Sequence, residues 1–369
     1  MEIIDIDIGD AVSRSRYDAF FESCPGAFIQ QSTYWADAIT GLGPDRPHFL
    51  LCSEAGEAVA GLPLYLYENR NGNILTSVPQ AGPLGGIFFK EGLAGERLNR
   101  AYAALLGRAQ EIARTQDCIS LTIITSPFFD DLPLYQKYLV PTYIFENFTQ
   151  YIPLDEMVKA GRIEVPGAEY RNNIKRNLLK SAAHGFAVDI EYDGARLDAW
   201  YAIHEKRAGE IGAPALDHRL LKNIVTVLGA RRKACLILVT KDGHIASGGI
   251  YIWHREVIDL FIISMDSALS AGSPNYLSTE RSILLAAAQG ARYYNWQSSE
   301  NRTGGVYQYK KKWGARERPY YFVTKFLGSP ERIGRLTPAL ARAEYPAHYL
   351  APFAALGGMP GVTYFKKGE

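Results

Sequence analysis

Residues 237–252 read ILVTKDGHIASGGIYI, and residues 50–65 read LLCSEAGEAVAGLPLY. Laid over each other at an offset of 187 positions, Gly56 falls on Gly243, Ala60 on Ser247 and Gly61 on Gly248. Each stretch is an apolar strand, a tight turn carrying Gly, and a second strand that opens with small residues. Lys241-Asp242-Gly243 is a strong hairpin signal, because glycine supplies the positive φ that such turns need.

The likeness continues outward. After the first hairpin, strand-like sequence leads to helical spacing over 98–114 and a strand over 119–125. After the second, REVIDLFIISMD reads as a strand, 276–289 has helical apolar spacing (Leu277, Ile283, Leu284, Ala287) and 291–296 reads as a strand. The order hairpin, strand, helix, strand is therefore shared. An offset of 187 in 369 residues implies duplication of nearly the whole chain, a reading preferred over a hairpin shared by unrelated halves. The turn-rich segment 153–167 puts a boundary near residue 155. The expected domains are 1–155, 156–330 carrying the chemistry, and a tail over 331–369 packed on the body. The second domain opens with the helix EYRNNIKRNLLKSAAHG, stopped at Gly185, followed by helices over 197–211 and 217–228.

Apolar residues make up 47% and charged residues 21%, enough to build a core. A net charge of +1 gives no global pull towards nucleic acid, so a polyanion site has to be a local patch. Cys24, Cys52, Cys118 and Cys235 lack metal or CxxC spacing and read as buried thiols of a cytoplasmic protein. No metal is expected. MEIIDIDIGD lacks the basic flank and apolar run of a signal peptide, and no stretch has the ~18 uninterrupted apolar residues of a membrane span. HYLAPFAALGGMPGVTYF is broken as a helix by Pro352, Gly357, Gly358 and Pro360, which favours a packed tail over an anchor.

Four places carry candidate chemistry. In the loop LSAGSPN (269–275), Asn275 reads first as an N-cap, with an anion site on the free backbone N–H groups as the second reading. One glycine makes neither a Walker loop nor a dinucleotide fingerprint. In the basic helix, Arg171 and Lys175 are one turn apart, as are Arg176 and Lys180; they form a solvated face or a phosphate site. In QSSENRTGGVYQYKKKWG (297–314), a strand would put Lys310 and Lys312 on one face and Tyr309, Lys311 and Trp313 on the other. That describes a lysine-guarded edge or a surface for a phosphorylated or nucleotide ligand. His204 and Arg207 share a helix face, and a structural histidine is preferred over a general base. No nucleophile–base arrangement stands out, which fits catalysis by positioning two substrates.

At these residues the chain resembles the FemAB-like branch of the GNAT superfamily, which includes the peptidoglycan interpeptide-bridge transferases. YRNNIKRNLLKSAAHGFAVDI is similar to the family's basic helix and following strand. LDAWYAIHEKRAGEIGAPALD is similar to its helix and Gly-x-Pro segment, and NYLSTERSILLAAAQGARYYNWQSS to its strand–helix–strand core. VYQYKKKWGA resembles its closing aromatic-Lys and aromatic-Gly signature. QSTYWADAI and PQAGPLGGIFF resemble its opening Trp helix and Gly-Pro-rich lead-in. The resemblance implies an α/β (α+β) fold of two tandem GNAT-like domains, each a mixed, mostly antiparallel sheet flanked by helices. It implies N-acyl transfer from acyl-CoA or aminoacyl-tRNA, with no tightly bound cofactor, to an amine on a small-molecule or lipid-linked amino-sugar or peptide precursor of the cell envelope. The alternative is an inactive GNAT-like module that binds a phosphorylated glycan or nucleotide. By carry-over, Lys310 contacts the acyl donor or its developing oxyanion. Lys175, Arg176 and Arg207 would hold the acceptor's phosphates, and Asn275, Tyr276 and Tyr309 complete the substrate-binding set. The partners implied are this acceptor and tRNA as a possible donor, not DNA, with a cytoplasmic location open to the inner membrane surface. Three departures stand: 269–275 lacks a glycine-rich loop, the family's acidic residue before the Ser-Ser turn is Asn295, and the sequence has no room for the long helical arm of some bridge-forming members.

Overall fold

The computed structural model describes residues 1–77, 84–346 and 348–350. The strands are β1 (Glu2–Ile6), β2 (Arg46–Glu54), β3 (Glu57–Tyr67), β4 (Asn73–Thr76), β5 (Phe88–Phe89), β6 (Cys118–Ile124), β7 (Tyr143–Pro153), β8 (Val158–Lys159), β9 (Arg162–Ile163), β10 (Ala187–Glu191), β11 (Ala234–Lys241), β12 (His244–His254), β13 (Val257–Met265), β14 (Tyr293–Asn295) and β15 (Arg316–Phe326). The helices are α1 (Ala11–Ser23), α2 (Thr33–Ile39), α3 (Gly95–Thr115), α4 (Leu132–Leu139), α5 (Leu154–Met157), α6 (Ala168–Ala183), α7 (Leu197–Glu210), α8 (His218–Asn223), α9 (Pro274–Ala288), α10 (Gly305–Lys312), α11 (Pro330–Gly334) and α12 (Pro338–Glu344).

Packing divides the chain into two units. The first takes Met1–Ala36, Gly43–Phe148 and the chain from Arg318; the second takes Asp37–Leu42 and Thr149–Glu317. The changeovers thus fall at 148/149 and 317/318, where the sequence reading put one boundary near 155 and another at 330. In the first unit the strand order is β1-β2-β3-β4-β6-β15, with β5 also on β3, antiparallel except where β4 runs parallel to β6. In the second it is β10-β11-β12-β13-β14-β7, antiparallel except where β13 runs parallel to β14. Both are the mixed, mostly antiparallel sheets expected.

The duplication extends to backbone detail. Ala55 and Gly56 turn the first hairpin with φ of 50° and 84°; Asp242 and Gly243 turn the second with 50° and 79°. Two successive positive φ values match the right-handed twist of the flanking strands. Each hairpin also breaks register at an equivalent place, between Cys52 and Ser53 and between Val239 and Thr240. One element order is exchanged: β7 follows the first copy in sequence yet pairs with β14, whereas β15 follows the second copy and pairs with β6.

The helices pack because of their spacing. α3 buries Ala101, Tyr102, Leu105, Leu106, Ala109 and Ala113 along one stripe into the first unit's core with Leu62, Leu75 and Leu121. In the second unit Ile237, Tyr251, Ile258, Ile283, Tyr294 and Trp313 form the corresponding core. α6 ends at Gly185, whose φ of 73° suits a helix stop. Asp217 caps α8 by accepting from the Arg219 N–H, and Ile224–Leu228 continues it as one π-helical turn. Of the expected tail, Ile333, Leu336, Ala341, Tyr345 and Leu350 pack on Tyr67, Ile74 and Ile119 of the first unit. Residues 351–369, and 78–83 within the Gly-Pro-rich lead-in, lie outside the described residues.

Two local expectations are overturned. Residues 305–312 form α10 and not a strand, so Lys310 and Lys312 do not share a face by alternation. Over six residues the aromatics fit either period, and helical spacing sets Tyr309 and Trp313 one turn apart on the core. Asn275 is no N-cap: Ser273 precedes Pro274 at the first helical position, where its missing N–H costs nothing, and Asn275 lies inside α9.

Candidate functional site

In the second unit, β13 and β14 pair only from Val257 to Asp259 and from Tyr293 to Asn295. β13 runs on to Met265 while β14 stops, so the two strands part at Asp259 and Asn295. Both side chains are buried. The Asn295 Nδ2 donates to the Asp259 carboxylate at 2.5 Å, and its Oδ1 accepts from the Thr149 hydroxyl at 2.6 Å and the Gln297 N–H at 3.3 Å. An acid buried in a strand needs such donors, because burying an unsatisfied charge costs several kcal/mol.

Gln297 leaves β14 with φ of 58°, a left-handed conformation that side chains other than glycine avoid. The turn points its carbonyl at the Gln150 N–H (3.2 Å) and at the Lys310 Nζ (3.1 Å), which also donates to the Ser298 carbonyl at 2.8 Å. Lys310 is 5% exposed. Its acceptors are neutral carbonyls, and burial pulls its ammonium down from 10.5 to about 7. A neutral amine would spend both N–H bonds on these carbonyls and keep its lone pair; the protonated form would have one N–H to spare.

On the same helix, the Tyr309 hydroxyl donates to the Asn275 carbonyl at 3.1 Å and lies 2.9 Å from the Thr279 hydroxyl. Its ring meets Tyr276 edge-on at 5.2 Å. The Tyr276 hydroxyl donates to Asn173, and the Ser273 hydroxyl to Asn177, while the Ser181 hydroxyl donates to the Gly272 and Ser273 carbonyls. These α6 residues, four apart, seat the start of α9. The Asn275 Oδ1 is buried without a hydrogen-bond partner among the described residues.

The structure therefore brings Tyr309, Asn275 and Tyr276 together, and sets Lys310, on the same helix as Tyr309, against the Gln297 and Ser298 carbonyls. Lys175 and Arg176 are exposed on the outer face of α6, with no ion pair among the described residues. Arg207 pairs with Glu210 at 2.9 Å. His204 is structural: its Nε2 accepts the Leu216 N–H, so Nδ1 carries the proton towards the Ser264 hydroxyl. Among the described residues no cluster of three His, Cys, Asp or Glu could hold a metal, and no helix is long and apolar enough to cross a membrane. The sequence reading missed Asp259, Thr149 and Gln297. Asp259 had a signal, as the one acid inside the run VIDLFIISM.

Residues 168–311 match the family described as Acetyltransferase (GNAT) domain. FemX is structurally similar, with a TM-score of 0.69 at 15% identity over 88% of this chain and 97% of that one. The C-terminal domain of a putative lysylphosphatidylglycerol synthetase from Agrobacterium fabrum gives 0.57 at 13% identity over 95% and 98%. A tandem GNAT protein from the clavulanic acid biosynthesis pathway gives 0.51 at 13% identity over 89% and 99%. No curated protein sequence matches.

Proposed function

From the FemAB-like tandem GNAT fold as premise, we propose that this chain is an N-acyltransferase moving an acyl or aminoacyl group onto an amine of a cell-envelope or glycan precursor. The observation that carries the reading is Lys310, a buried amine lowered by burial to about 7 and held, among the described residues, by the Gln297 and Ser298 carbonyls of the turn after β14. A value near the operating pH suits a group that exchanges protons or meets developing charge.

In this reading the amine attacks the donor carbonyl, the bond to the thiol of CoA or to the ribose oxygen of tRNA breaks, and the amine's surplus proton leaves. Lys310 would meet the oxyanion as an ammonium or take that proton as an amine. Asn275, Tyr276 and Tyr309 would line the donor's approach, and the unspent Asn275 Oδ1 supports a hydrogen bond to it. Lys175 and Arg176 would hold the acceptor's phosphates. Arg207, neutralised by Glu210, takes no part. The open edge of β13 beyond Asp259 supports an extended donor such as acyl-CoA, whereas the missing glycine-rich loop speaks for aminoacyl-tRNA.

A mass-spectrometric transfer assay comparing acyl-CoA with charged tRNA over a panel of amino-sugar nucleotides tests this. Lys310→Ala should lower turnover by roughly 10²–10⁴-fold. Ligand-induced thermal stabilisation without turnover of any pair by the native chain would favour the inactive binding module.

A further inference from the structure

The outer face of α6 carries more than the two phosphate ligands, Lys175 and Arg176, that the transfer reading assigns to it. At about 100° per residue, Leu179 lies in the middle of a crescent, with Arg171 and Lys175 to one side and Arg176 and Lys180 to the other. Leu179 is 62% exposed. None of the four cations makes an ion pair among the described residues, whereas Arg196, Arg207, Arg292, Arg302 and Arg316 of the same unit all do. α10, whose Lys311 and Lys312 make no ion pair among the described residues, packs against the same helix.

Beside the crescent runs a groove of about 470 Å³. Arg171, Lys175 and Leu179 form one wall, Leu284 is on the other, and Ile174 and Trp313 lie between them. Glu280 is its one acid, and burial holds that carboxyl above the usual carboxylate range, towards the neutral form. An isolated leucine ringed by lysines and arginines, next to an apolar cleft, has the layout of an interfacial helix: apolar side chains enter the acyl boundary and cations meet the phosphates. An RNA surface would call for exposed aromatic platforms beside the guanidinium groups of Arg171 and Arg176. Here the exposed centre is aliphatic.

We propose that the α6 crescent and its groove dock this protein on the headgroup layer of an anionic phospholipid bilayer. The proposal rests on the reading of Lys175 and Arg176 as phosphate ligands and adds phospholipid headgroups as a second source of phosphate for the same face. Donor, acceptor and turnover are not involved, so it can fail while the transfer reading stands.

The full chain is sedimented with vesicles of phosphatidylcholine alone, or of an equimolar mixture with phosphatidylglycerol, at low and high potassium chloride. Binding should need phosphatidylglycerol and fall with salt. Lys175→Ala with Arg176→Ala should lower the partition coefficient about 30-fold, the product of two contributions of about fivefold per cation near the surface. Leu179→Ser should lower it several-fold, and Lys222→Ala on α8 should leave it unchanged. All are surface substitutions, and a thermal melt checks that the fold persists. Equal binding to both vesicle types, or binding indifferent to the double substitution or to Leu179→Ser, overturns the proposal. Retention of bulk tRNA that is lost in the double variant, with vesicles ignored, overturns it in favour of an RNA surface.

Discussion

Lys310→Met should separate the cost of burying a lysine from its use. Lowering the ammonium from 10.5 to about 7 makes the protonated form about 5 kcal/mol less favourable in the folded chain than in the unfolded one. The group is 5% exposed, so solvent screening removes little of this. Because the folded value is the lower one, the folded chain binds fewer protons than the unfolded chain between about pH 7 and 10.5. Native stability therefore rises with pH across that window, while below pH 7 the whole cost persists. Methionine keeps the side-chain length and removes the titration, but leaves the Ser298 carbonyl without its Nζ donor, at about 1–3 kcal/mol, and the Gln297 carbonyl with the Gln150 N–H. That loss is the same at every pH. The stability of Lys310→Met relative to the native chain should thus be about 2.5 kcal/mol more favourable at pH 6 than at pH 9. Urea unfolding at the two pH values, with m unchanged, reads this difference. An identical difference at both pH values would refute the argument, because it would mean that Lys310 keeps an ordinary pKa in the fold. The variant should lose transfer at either pH.

Other perturbations probe the surroundings. Asn295→Asp replaces the donor to Asp259 with a second buried carboxylate, which should destabilise the chain by about 3–5 kcal/mol. One of the two acids must then titrate above its unfolded value, so the stability of this variant relative to the native chain should fall from about pH 4 to 8 in urea melts. Gly56→Ala and Gly243→Ala place a Cβ in open space at φ of 84° and 79°. Each should cost about 1 kcal/mol from the left-handed backbone alone, with matching shifts in melting experiments. Unequal losses would count against the equivalence of the two turns.

What could be read from the sequence was local. Both hairpins were legible because turn chemistry is set by two adjacent residues, and Gly185 and Asp217 mark helix ends by the same kind of rule. The exchange of β7 and β15 was not legible. Their pairing with β14 and β6 depends on contacts far apart in sequence, and an apolar strand carries no label for its neighbour. Residues 305–312 show a third case. KKK between aromatics fits alternation as well as it fits a turn of helix, and only the packing of Tyr309 and Trp313 decides.

That misreading bears on the site itself. On a strand, Lys310 would have been one of two solvated charges guarding an edge, with an ordinary lysine's chemistry. On α10 it is instead carried beneath the turn after β14, where Gln297 holds a left-handed conformation and presents a carbonyl. Gln297 is seated by Asn295, and Asn295 by Asp259 and Thr149, so an acid on the neighbouring strand lies three residues away from the amine through hydrogen bonds. Where the family resemblance places an acid before the Ser-Ser turn this chain has the amide of Asn295, and the acid bonded to that amide, Asp259, stands on β13. An amide conveys position without conveying charge. This arrangement can fix Lys310 while leaving burial, and not an ion pair, to set its pKa, which is the condition for an amine poised near neutrality.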